Sequence, residues 1–88
     1  MSYVLNPSLE IVEAEGGGIA LDKKSGAYLQ LNPLGFTVLQ AMIDGRSLAE
    51  IHDDLVQEFP EQAGRIGADL DALEQDLLAR SVVKKARR

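Results

Sequence analysis

At Asn32-Pro33 the hydrophobic period of the chain changes from two to about 3.6, and this boundary separates a strand-forming third from a helix-forming remainder. Before it, short runs place Leu9, Ile11 and Glu13 on one side of a first strand, and Ile19 and Leu21 on one side of a second. Ala27, Leu29 and Leu31 share one side of a third. Gly16-Gly17-Gly18 and the Asp22–Gly26 stretch are the turns between them. Glycine admits the positive φ that tight and bulged hairpin turns need. A three-stranded antiparallel meander is the expected product.

After the boundary, Asn32 is a helix N-cap and Pro33 a first helical residue. Leu34, Val38, Leu39 and Met42 are the expected buried stripe, and Gly45 the stop. Ser47 and Glu50 have capping-box spacing, so each side chain satisfies a free amide at the other's position and opens a second helix. Leu48, Ile51, Leu55 and Phe59 mark its core face. Ile66, Leu70, Leu73 and Leu77 mark a third helix, expected from Ala68 to Ala79, with Glu61–Gly67 as a frayed first turn or loop because Gly64 and Gly67 weaken it. The fold class is α+β, three strands followed by three helices in a winged-helix-turn-helix-like order.

Eighty-eight residues hold one domain, expected over 1–83, with Ser81-Val82-Val83 packing back on the body and 84–88 as a basic, mobile tail. Without cysteine there is no disulfide, thiolate metal site or Cys nucleophile, so packing supplies the stability. The longest apolar runs are far too short to span a bilayer. Nothing in Met1–Pro7 has the pattern of an export signal, and the expected location is cytoplasmic. Residues 1–79 carry four basic against fourteen acidic side chains, a net of -10. Such a surface repels nucleic-acid phosphates and anionic membranes and favours a basic peptide or protein.

Catalytic candidates are few. His52, the single histidine, lies beside the second helix's apolar stripe and reads as a partly exposed structural residue, with no Cys or second His to act with it. Asp53, Asp54, Asp69, Asp71, Glu74 and Asp76 fall on helices rather than around a metal-binding turn, and read as a solvated acidic face. Gly16–Gly18 lacks the following Lys-Ser/Thr of a phosphate loop. Four acidic residues between Asp69 and Asp76 argue against the third helix entering a DNA groove, as it would in a winged-helix regulator. The edge at Ala27–Leu31 contains neither charge nor proline, and an extended peptide can complete such an edge as an added strand. A covering helix or a second copy would serve it equally well, and a small acidic structural subunit with no peptide ligand is a further reading.

The segment Gly26-Ala27-Tyr28-Leu29-Gln30-Leu31-Asn32-Pro33-Leu34-Gly35, followed by Ile43-Asp44-Gly45-Arg46-Ser47-Leu48-Ala49-Glu50-Ile51, resembles the PqqD family in the order and spacing of strand, cap, helix, turn and second cap. The resemblance runs from Leu9 to Val83. It implies a non-catalytic, cofactor-free adaptor that binds the leader segment of a ribosomally made precursor peptide. In that family the leader lies as an added strand between the third strand and the third helix. Carried over, the site comprises Ala27, Tyr28, Leu29, Gln30 and Leu31, with Asp69, Leu70, Leu73, Asp76 and Leu77 across the groove. Which of these leucines face the groove and which the core is open from sequence. A free-standing chain of this size is most similar to the recognition proteins of lasso-peptide pathways, which work with a leader peptidase and a macrolactam cyclase. The alternative within the family is a partner of a radical-SAM enzyme in cofactor biosynthesis.

Overall fold

The glycine turns and the two N-caps form as their chemistry dictates, and they set the element order of the structure, a computed structural model describing residues 3–85. The order is β1 (Tyr3–Leu5), β2 (Leu9–Ala14), β3 (Gly17–Asp22), β4 (Tyr28–Leu31), α1 (Pro33–Ile43), α2 (Leu48–Glu58), α3 (Ala63–Ala79) and β5 (Val83–Lys85). A single 3₁₀ turn at Pro60–Gln62 precedes α3. β2, β3 and β4 form the expected antiparallel meander, with Ile11 opposite Ala20 and Ala20 opposite Leu29. Gly16 and Gly26 take positive φ in the two turns.

One face of the meander presents Leu9, Ile11, Ala20, Leu29 and Leu31 to the core, because residues paired across antiparallel strands share a face. On β3 the inward residues are the small Gly18 and Ala20, while the larger Ile19 and Leu21 lie on the outer face. The reason is α1, which packs against β3 and lays the Phe36 ring over Gly18. Asn32 caps α1 by accepting from the Gly35 amide at 2.7 Å. The Ser47–Glu50 box opens α2, with Ser47 Oγ accepting from Glu50 N and Glu50 Oε1 accepting from Ser47 N. Val38, Leu39 and Met42 of α1, Ile51 and Leu55 of α2, and Ile66, Leu70 and Leu77 of α3 close the core.

Three expectations are corrected. α3 begins at Ala63 rather than Ala68. Buried Ile66 anchors its first turn, and the packing of this turn beside α2, with Gly67 next to the His52 ring, outweighs glycine's low propensity. Leu34 and Phe59 do not serve the core: they stay 41% and 40% exposed at the start of α1 and just past the end of α2. The third correction concerns the termini. Tyr3–Leu5, for which no element was expected, pairs with Val83–Lys85 as a two-stranded ribbon separate from the main sheet.

Lys84 and Lys85 therefore belong to a strand, while Ala86–Arg88 of the expected tail lie outside the described residues. α3 makes the ribbon possible by turning the chain back at Ser81, whose φ is 59°. The Ser81 amide donates to Leu78 O and the Val82 amide to Leu77 O, the pairing of a Schellman stop. Asn6 secures the turn, donating through its backbone amide to Val82 O and through Nδ2 to Ser81 O. Val82 and Val83 are then buried, each contributing about 1.5–3 kcal/mol by area.

Candidate functional site

β4 is an edge of its sheet, because the strand order is β2-β3-β4. Its hydrogen-bonding pattern follows from the turn before it. The Asp22 amide donates to Ala27 O, so the Asp22/Ala27 pair is of the hydrogen-bonded kind, and such pairs alternate along an antiparallel ladder. Leu29 and Leu31 thus turn their backbone groups toward β3. Tyr28 and Gln30 turn theirs toward the open edge, where an extended chain would find two amides and two carbonyls.

α3 faces this edge without packing tightly on it, since its neighbours are α2, the preceding 3₁₀ turn and β5. At about 100° per residue, Asp69, Leu73, Asp76 and Arg80 fall on one flank of the helix, and Ile66, Leu70 and Leu77 on the adjoining, buried one. A cavity of about 180 Å³ opens along the first half of α3, lined by Leu34, Leu55, Phe59, Ile66, Leu70 and Leu73, with Gln62 and Asp69 as its polar members. A second, of about 170 Å³, lies where Ala27, Tyr28 and Leu29 meet Arg80, Ser81 and Val82. The start of α1, which follows β4 through Asn32, is thus near the first half of α3, and the start of β4 is near the end of α3. The cleft between them is apolar at one end and polar at the other.

The ten residues expected to bind peptide separate on this geometry. Tyr28 and Gln30 present the open edge, and Ala27 and Leu29 line the polar cavity. Asp69, Leu70 and Leu73 line the apolar one. Asp76 is engaged by Arg80, whose Nε donates to Asp76 Oδ1 at 2.9 Å. Leu31 is buried, and Leu77 is wholly inaccessible at 0%. Leu77 lines neither cavity; it belongs to the core. Sequence reasoning missed three residues of the cleft: Leu34 and Phe59, which periodicity assigns to the core, and Arg80. The i, i+4, i+7, i+11 spacing of Asp69, Leu73, Asp76 and Arg80, a mixed polar stripe beside an apolar one, was a readable signal for the last.

The outer face of the meander carries a second feature. By register Val12, Ile19, Leu21 and Tyr28 stand side by side there, with Val12 and Tyr28 well exposed. Contiguous apolar side chains of this kind mark interaction surfaces.

The other candidates have local explanations. His52 is half-exposed, 3.8 Å from Asp53 Oδ1 and in packing distance of Gly67. Among the described residues no group of three or more His, Cys, Asp or Glu side chains is placed to hold a metal. Asp54 pairs with Arg46 at 2.6 Å. The Asp22 carboxylate accepts from the Lys24 amide, which holds its pKa below the ordinary range, in the turn leading to β4. No helix of the described residues is long and apolar enough to cross a membrane.

Fold and cleft define a class: a small α+β domain that leaves the β4 edge of its sheet unpaired beside an apolar-lined helix. The chain belongs to the PqqD family, whose model, described as coenzyme PQQ synthesis protein D, matches residues 17–83. Among solved structures it is similar to a lasso peptide synthetase B1 complexed with the leader peptide, at 26% identity and a TM-score of 0.86, over 97% of this chain and 100% of that one. It is also similar in fold to TbiB1 in complex with the TbiA(beta) leader peptide, at 15% identity and a TM-score of 0.82, over 97% and 99% of the two chains. No curated protein matches it.

Proposed function

We propose that this chain is a non-catalytic adaptor of lasso-peptide biosynthesis that takes the leader of a precursor peptide as a fourth strand on β4, beside α3. The observation that carries the reading is the open edge at Tyr28 and Gln30, in a cleft whose far end is the apolar cavity between α3 and the start of α1, in a fold that overlays over 97% of its length on a lasso peptide synthetase B1 complexed with the leader peptide. Main-chain pairing with β4 supplies affinity that is independent of sequence, and the cavity at Leu34, Phe59 and Leu73 selects an apolar side chain of the leader. The acidic body favours a leader of neutral or basic character.

The adaptor works by delivery. A leader seated on β4 extends the sheet, and the outer face at Val12, Ile19, Leu21 and Tyr28 remains available to a protein partner. The leader peptidase is the partner this reading assigns to that face, with the macrolactam cyclase acting on the released core; the setting is the cytoplasm.

The test is titration with the synthetic leader encoded by the precursor gene neighbouring this one. Amide shift changes are expected over Tyr28–Leu31 and along Asp69–Leu73. Changes centred on His52 of α2, or cleavage of the leader by the purified chain alone, would overturn the reading.

A further inference from the structure

Glu74 lies about 100° around α3 from Leu73, on the side turned away from the cleft, and its side chain is only 12% exposed. Two groups from the terminal ribbon converge on its carboxylate. The Tyr3 hydroxyl donates to Glu74 Oε2, and Lys85 Nζ stands 3.8 Å from the same oxygen. Tyr3 and Lys85 are themselves partners across the β1–β5 ladder, so one acidic residue of α3 holds both ends of the described chain. Burial first, then the hydrogen bond and charge of Glu74, push the Tyr3 hydroxyl well above its ordinary pKa, which keeps it a donor.

The rest of α3's packing gives this cluster its consequence. Along the helix's first half, α2 approaches through His52 beside Gly67; along the second half the support is the ribbon. On the cleft flank, where Asp69, Leu73, Asp76 and Arg80 lie, no element packs tightly. The distance between the second half of α3 and β4 is therefore set from behind.

We infer that the ribbon of the chain termini braces α3 and sets the width of the cleft, with Glu74 as a positioning residue that acts through the helix and touches no leader. The inference rests on the leader-binding reading of the cleft. A brace of this kind links two distant observables: loosening the ribbon weakens the site on the opposite flank of α3, although no side chain of the site has changed.

Tyr3→Phe tests it, because it removes the hydroxyl and leaves the largely buried Glu74 carboxylate without that donor. Glu74→Gln is the conservative partner, since its amide oxygen still accepts from Tyr3. With the folded fraction held equal by circular dichroism, Tyr3→Phe is expected to weaken the synthetic neighbouring-gene leader about tenfold, the scale of one hydrogen bond to a charged group. Glu74→Gln is expected to stay within about twofold of the parent. An unchanged leader affinity in Tyr3→Phe overturns the brace, even if its melting temperature falls.

Hydrogen exchange of the free protein reads the same inference without leader. Faster exchange over Leu73–Ala79 in Tyr3→Phe, with α1 unchanged, supports the brace; uniform or unaltered exchange overturns it. A parent chain that fails to bind the leader at all removes the leader-binding reading instead, and this exchange arm then decides whether the ribbon braces α3.

Discussion

The ring of Phe36 lies against Gly18, so that a Cβ added to the glycine would stand 2.7 Å from Phe36 Cε1 and closer still to Cδ1. This contact seats α1 on the sheet and fixes how β4 runs into the helix through Asn32. Gly18→Ala is accordingly expected to lower stability by about 1–3 kcal/mol, as overpacking does. Urea denaturation at constant m-value measures it.

Proline scanning of β4 separates the open edge from the ladder. At Gln30 the amide points outward, so Gln30→Pro removes a donor that only an added strand would use. Leader affinity should fall about five- to tenfold, by the roughly 1–1.5 kcal/mol of a lost hydrogen bond, with little change in melting temperature. Leu29→Pro removes a β3 bond and should unfold the sheet edge. Equal thermal destabilisation by both would contradict the assigned ladder phase.

Because Leu34 is 41% exposed at the mouth of the apolar cavity, it can be changed without emptying the core. Leu34→Asp should reduce leader affinity by about 2 kcal/mol or more, since the charge would be desolvated by the bound apolar side chain, and should cost little stability. Calorimetric titration beside a thermal melt checks both halves. Leu77→Asp should do the reverse and unfold the chain, since Leu77 is wholly buried.

Glu50 connects the capping box to pH. Its bond from the Ser47 amide is the largest cause of a pKa below the ordinary glutamate value. A carboxylate depressed in the folded state stabilises above its unfolded pKa, about 4.3, and that stabilisation is lost as pH falls through the folded value. Melting temperature should therefore decline on acidification below that range. Glu50→Gln, which keeps the box's geometry, should flatten the decline.

On the outer face, Val12→Lys places a charge among Ile19, Leu21 and Tyr28 without reaching the cleft. Leader affinity should be unaltered, while leader removal by the cognate peptidase in the presence of this chain should slow. Unchanged cleavage would assign the peptidase to another surface.

The sequence by itself determined what depends on neighbours a few residues apart. The glycine turns, the Asn32 cap, the Ser47–Glu50 box and the change of period at Asn32-Pro33 are local, and the meander and three helices follow from them. The resemblance in the Gly26–Gly35 and Ile43–Ile51 segments rests on the same local signals. Tertiary structure decided the rest. Tyr3–Leu5 and Val83–Lys85 are three-residue strands that pair with each other from opposite ends of the described chain, so no local pattern announces them. Periodicity set Leu34, Phe59, Leu73 and Leu77 alike as apolar positions. It could not distinguish the leucine sealed beneath α3 from the side chains at a cavity mouth, because a helix's apolar stripe says which face is buried but not where the neighbouring element stops covering it.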